Sequence, residues 1–173
     1  MNNTEDLNGL RGWLILVGIG LVLAPINGLI ITGEMLVQLM EGGVWGAMTS
    51  IDSKTYTPFW GELVVGEFIF NTLMLLVSIY LAYLFFTKHF FFPKIFIIFS
   101  ITSLVAIPLD AWLITKVFPH ISLLREEVIF EIIRTTIVCA IWIPYMLVSK
   151  RVNATFVKHM PNKEMQPTAE RVS

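Results

Sequence analysis

Four apolar stretches, each long enough to cross a lipid hydrocarbon core, and a shortage of charge predict an all-α integral membrane protein: an antiparallel four-transmembrane-helix bundle with both termini cytoplasmic. Charged residues are 14% of the 173-residue chain and hydrophobic residues 55%, whereas a soluble domain is about 25% charged. The stretches run over residues 10–31, 61–86, 93–118 and 128–149, and a spanning helix needs about 20 apolar residues. None alternates apolar and polar residues as a barrel strand must, so each has to satisfy its own backbone in lipid as a helix. The chain is too short to hide a sizeable soluble domain. One membrane domain is expected over residues 1–157, and the polar, aperiodic residues 158–173 are expected to form a disordered cytoplasmic tail.

The first stretch is too long for a signal-peptide h-region and no small-x-small cleavage pattern follows it, so it reads as a retained span. Gly20, Ala24 and Gly28 make a small-residue ridge along it that would admit a close helix neighbour, with Asn27 beside the ridge. The connection over residues 32–59 opens with GEMLVQLMEGG. There Met35, Leu36, Leu39 and Met40 share one face of a short interfacial helix, which the Gly42-Gly43 pair would stop. The rest of that connection is rich in turn-forming and polar residues and is expected to be irregular. A tight turn from His89 to Pro93 makes the second and third helices antiparallel neighbours.

Orientation follows from the basic residues. One side of the membrane receives Arg11, Lys88, Lys94, Lys150, Arg151, Lys158, Lys163 and Arg171, and the other only Lys54, Lys116 and Arg125. The positive-inside rule makes the first side cytoplasmic. Trp60, Trp142 and Tyr145 read as aromatic anchors near the interfaces, and Lys150 and Arg151 as anchors to anionic headgroups.

Ionisable residues within a span are costly, so their depth is informative. Counting inward from the outer ends of their spans at 1.5 Å per residue, Glu67, Asp110 and Arg134 all come out roughly 10 Å deep. Asn27 also lies in the outer half of its span. Helical spacing places Asn71 on the same face as Glu67, Ser103 on that of Asp110, and Glu127 and Glu131 on that of Arg134. The four polar faces can all point inward and form one layer, in which Arg134 would bridge Glu131, Glu67 or Asp110.

Other chemistry finds little support. His89, His120 and His159 are dispersed over both sides, so no metal site is expected. VGIG in the first span lacks the rest of a dinucleotide fingerprint, and no serine sits in a nucleophile elbow. Cys139 is the only cysteine, which excludes an intrachain disulfide, and it reads as a small apolar filler. A formal net charge of -1 without a long basic patch gives no reason to expect a nucleic-acid partner. No cofactor is expected.

The segments LRGWLILVGIGLVLAPI, FWGELVVGEFIFN, LFFTKHFFFP and above all IWIPYMLVSKRVNATFV, in that order between Leu10 and Val157, resemble the bacterial membrane-protein family called domain of unknown function 2569. The resemblance implies a small multi-pass protein of the bacterial inner membrane. It implies no activity, substrate or catalytic residue.

The leading expectation is therefore a non-enzymatic binding or transport-type protein with a polar pocket in the outer half of the bundle. Glu67, Asp110 and Arg134 would orient a small polar or cationic ligand or a partner membrane helix, supported by Asn27, Asn71 and Glu131. Two alternatives stand beside it: a structural or assembly subunit whose ion-pair network only fixes packing, and an intramembrane enzyme acting on a lipid or quinone.

Overall fold

The computed structural model describes residue 10, residues 12–40 and residues 43–156. Helices account for 81% of these residues, and no strand occurs among them. In chain order they are α1 (Trp13–Met40), α2 (Val44–Thr49), α3 (Trp60–Phe86), α4 (Phe92–Val117), α5 (Glu126–Val148) and α6 (Lys150–Thr155). The four long ones, α1, α3, α4 and α5, are long and apolar enough to cross a membrane. At 23 to 28 residues each, they extend roughly 35 to 42 Å, against a hydrocarbon core of about 30 Å. The tail expected over residues 158–173 lies outside the described residues.

The ends of α3, α4 and α5 fall close to the predicted spans, but α1 does not stop at Ile31. It continues unbroken to Met40, so the segment expected to be a separate interfacial helix is the last part of α1. Between Thr32 and Met40 only Gly33 is a poor helix former, and a single glycine does not end a helix held by its neighbours. The short helix of the connection is α2 instead, entered from Gly43 in the left-handed region at φ 67.

The turn from α3 to α4 is fixed by backbone bonds. The His89 amide donates to the Leu84 carbonyl at 2.9 Å and the Lys88 amide to the Phe85 carbonyl at 3.1 Å. Lys88 sits between them in the left-handed region at φ 55, which makes this a Schellman motif with lysine where glycine is usual. Thr87 adds its hydroxyl, donating to Tyr83 O at 2.8 Å. Pro93 then lies in the first turn of α4, where its missing amide is not needed.

Extensive packing joins α1 to α3, α3 to α4 and α4 to α5, with α2 against both α1 and α3. The main core lies at one end of this row. There Leu14, Val17 and Leu21 of α1 meet Leu81, Leu84 and Phe85 of α3, Phe92 of α4 and Met146 of α5, closed by Val152 and Phe156. Phe85, Phe92 and Phe156 pack ring against ring, with centroids 4.6 to 5.8 Å apart. At the same end Trp13 of α1 and Trp142 of α5 make an edge contact at 6.3 Å.

α6 completes that core. Ser149 is its N-cap, its hydroxyl accepting from the Val152 amide at 3.4 Å, and Val152, Thr155 and Phe156 are buried. Away from this end burial thins out, and α5 buries only Cys139 and Met146. Cys139 holds α5 on α4 through its thiol, which donates to the Ser100 carbonyl at 3.5 Å.

Candidate functional site

Glu67 lies about two turns into α3 and Asp110 about two turns before the end of α4, so one sits roughly 10 Å from the start of its helix and the other roughly 10 Å from the end of its own. The packing of α3 on α4 brings the two carboxyl groups close enough to interact with each other. Both residues are half-buried, as is Asn71 one turn further along α3. An apolar groove of about 290 Å³ lies between Phe70 of α3 and Ile101, Val105 and Leu109 of α4, and neither carboxyl residue lines it.

Arg134 is not part of this contact. It donates to Glu131 Oε1 at 2.6 Å within α5, and the two side chains are 73% and 44% exposed. The inward face of α5 is the stripe through Glu131, Thr135, Cys139, Trp142 and Met146, half-buried or buried along its length. At about 100° per residue Arg134 points roughly 140° away from Cys139, onto the outer surface with Phe130, Ile137 and Ile141. Of the three partners expected for Arg134 the structure shows Glu131, and no bridge from Arg134 to Glu67 or Asp110 occurs among the described residues. The Arg134–Glu131 pair is the one salt bridge among the described residues, and the two carboxyl groups of α3 and α4 have no basic partner there.

Asn27 is likewise turned outward. The face of α1 that meets α3 carries Leu14, Val17, Gly18, Leu21 and Thr32, all buried, together with Gly28. A Cβ on Gly18 would come within 2.9 Å of the Phe85 ring and one on Gly28 within 3.2 Å of Leu75. The close-approach ridge thus runs through Gly18 and Gly28. Gly20 faces open space, because it is two residues, or about 200° of helix, away from Gly18. Thr32 is buried and its hydroxyl has no hydrogen-bond partner among the described residues.

Of the residues read as membrane anchors, Lys150 is exposed while Arg151, Trp60, Trp142 and Tyr145 are half-buried. Trp142 packs between Trp13 and Tyr145, and Trp60 against Trp45 at 5.7 Å. These aromatic rings support helix contacts. One guanidinium nitrogen of Arg151 is buried without a hydrogen-bond partner among the described residues.

A larger cavity, about 590 Å³, opens where α2 and the following loop cover the start of α3. Trp45, Tyr56, Phe59, Glu62, Gly66 and Ile69 are among its walls, and none of the polar-layer residues is. No sequence signal joined these residues: Trp45 and Phe59 are far apart along the chain, and Glu62 reads as a solvated interfacial acid.

Four helices of membrane-spanning length and composition in so short a chain define a small multi-pass membrane protein. It belongs to the family described as protein of unknown function (DUF2569), whose model matches residues 7–157. No curated protein and no solved structure gives a significant match.

Proposed function

We propose that this is a non-enzymatic protein of the bacterial inner membrane, of binding or transport type, whose site is the Glu67–Asp110 carboxyl pair. The observation that carries the reading is the close approach of two acids on different spanning helices, with no basic side chain to neutralise them among the described residues. Two carboxylates side by side repel each other, so the pair is suited to hold a proton or a cation between them. Intramembrane acids that hold a proton are suited to exchange it for a small cation. The half-buried amide of Asn71 and the unpartnered hydroxyl of Thr32 would extend the polar surface.

In this reading the spans are antiparallel, both termini are cytoplasmic and the pair lies in the outer half. Glycine contacts support the antiparallel arrangement: Gly18 lies against Phe85 and Gly28 against Leu75, so progress along α1 matches retreat along α3. Continued, that register brings Thr32 level with Asn71. The excess of Lys and Arg on the α6 side supports the orientation.

The test is proton release. Purified protein in weakly buffered detergent solution is titrated with sodium or tetramethylammonium while a pH indicator is followed. Wild type should release protons on cation binding, and Glu67→Gln and Asp110→Asn should not, with helicity retained by circular dichroism. Variants that lose their helical structure, or a wild type that releases nothing, would favour the packing-only subunit.

A further inference from the structure

The cavity under α2 is a second site, independent of the carboxyl pair, and its walls specify a ligand. Its floor is one face of α3, through Glu62, Val65, Gly66 and Ile69, and its sides are Trp45 and Thr49 of α2 and Tyr56, Thr57 and Phe59 of the loop. Polar groups gather at the start of α3, and further along that helix the wall is apolar. Such a gradient matches an amphiphile lying along the helix, with its headgroup at the interface and its chain in the hydrocarbon.

The hydrogen-bonding groups select the headgroup. Thr49 donates its hydroxyl to the Trp45 carbonyl at 2.6 Å, and Thr57 donates its own to the Thr55 carbonyl at 3.2 Å. With their single protons committed, both hydroxyls can only accept from a ligand. Glu62, also acceptor-only when ionised, has no hydrogen-bond or ion-pair partner among the described residues. Trp45, Tyr56 and Phe59 line the same space with aromatic rings, whose faces attract cations. Acceptors, a carboxylate and rings together favour a cationic donor and disfavour an anionic one.

Two features show that the walls are held in place. Gly61 lets α2 approach α3 closely, since a Cβ there would stand 3.1 Å from Thr49 Cγ2 and 3.7 Å from the Trp45 ring. Phe59 is held in the left-handed region at φ 64 with its side chain on the cavity, although the residue is 73% exposed. A large aromatic residue in that conformation is strained, and such strain persists only where its surroundings impose it.

We infer that this groove binds a bilayer lipid whose headgroup carries a primary ammonium, the chemistry of phosphatidylethanolamine. The ammonium donates to Glu62 and to the Thr49 and Thr57 hydroxyls, and an acyl chain lies along Val65, Gly66 and Ile69.

The experiment is native mass spectrometry of the full chain released from micelles containing equal amounts of phosphatidylethanolamine, phosphatidylcholine and phosphatidylglycerol. Wild type should retain phosphatidylethanolamine several-fold over the other two. Glu62→Gln should bring it down to the level of phosphatidylcholine, while Glu126→Gln, an exposed acid at the start of α5, should leave the preference intact. Gly66→Leu should reduce all three, because an added Cβ at Gly66 meets nothing within 4 Å and the side chain is free to fill the groove. Dodecylamine should displace the bound lipid, and dodecyltrimethylammonium, which has no N–H, should not. Equal retention of the three lipids, an unchanged preference in Glu62→Gln, or equal displacement by the two amphiphiles would overturn the assignment. Proton release by Glu67 and Asp110 is unaffected by any of these variants, so the two sites can fail separately.

Discussion

Arg134 hydrogen-bonds Glu131 across one turn of α5 at 2.6 Å, and this spends the only arginine within the long spans on its own helix. Arg134 lies on the outer face of α5, so it is separated by the width of that helix from the surface that packs on α4. Side chains on a helix lean toward its N-terminus, which carries the Arg134 guanidinium back toward Glu131 and toward the nearer membrane boundary.

Replacing the two together should therefore do little harm. A charge in mid-membrane costs about 2.5 to 3.5 kcal/mol on insertion scales, and less nearer the boundary. An i,i+3 ion pair returns only about 0.2 to 0.5 kcal/mol on an isolated helix. The double variant Glu131→Gln, Arg134→Gln should insert and resist unfolding at least as well as wild type, and should keep cation-linked proton release. Arg134→Gln alone, which leaves Glu131 without its partner, should be the less stable of the two. Equilibrium unfolding in bicelles checks the order.

Glu67 and Asp110 should show the reverse pattern, because their contact faces another helix. Asp110→Asn keeps a donor for Glu67 and should change stability by less than about 1 kcal/mol. Asp110→Ala leaves the Glu67 carboxyl half-buried without its partner and should cost about 1 to 3 kcal/mol. Asp110→Leu, which keeps the volume and not the polar group, should be as unstable as Asp110→Ala if the polar contact, and not side-chain volume, holds α3 to α4 at this level.

Depth was readable from the sequence because rise per residue is nearly constant, and it put Glu67 and Asp110 at the same level. Azimuth was not. Arg134, Asn27 and Gly20 each sit one or two residues from the inward stripe of their helix, and an error of one residue is about 100° of rotation. In an apolar span both faces are greasy, so periodicity gives no sharp inward direction; α3 and α4 carry apolar residues all round. The four spans needed only length and composition. The run of α1 through to Met40 was missed for lack of a breaker to count from, and α6 because six residues are too few to show a period, although Ser149 ahead of Val152 and Thr155 was a capping signal. The cavity under α2 depends on residues that only the fold brings together.

The inward face of α1 can be tested with two alanines. Gly18→Ala places a Cβ 2.9 Å from the Phe85 ring, inside the main core, and overpacking there should cost about 1 to 3 kcal/mol. Gly20→Ala meets open space and should be neutral or stabilising by up to about 1 kcal/mol, since alanine is the better helix former. The opposite ranking in thermal unfolding would place the α1–α3 contact on the other face.

Lys88 offers a stabilising change. Its φ of 55 in the α3–α4 turn costs a non-glycine residue about 1 to 2 kcal/mol, and glycine loses about 0.5 to 1 kcal/mol of that to its greater freedom in the unfolded chain. Lys88→Gly should therefore raise stability by a net amount of about 0.5 to 1 kcal/mol, visible as a higher melting temperature in detergent.

Phe59→Gly applies the same backbone logic where a ligand is at stake. The φ of 64 at Phe59 is a conformation that glycine adopts without penalty, and the mostly exposed ring gives up little packing when it is removed. The variant should unfold at an equal or higher temperature than wild type while retaining less phosphatidylethanolamine, because the cavity loses one of its aromatic walls. Phe59→Ala separates the two effects: it removes the ring but keeps most of the strain, so it should bind as weakly as the glycine variant and be less stable. Should Phe59→Gly lose stability and keep its lipid, the strained phenylalanine would be serving the fold, and the lipid would have to be held elsewhere.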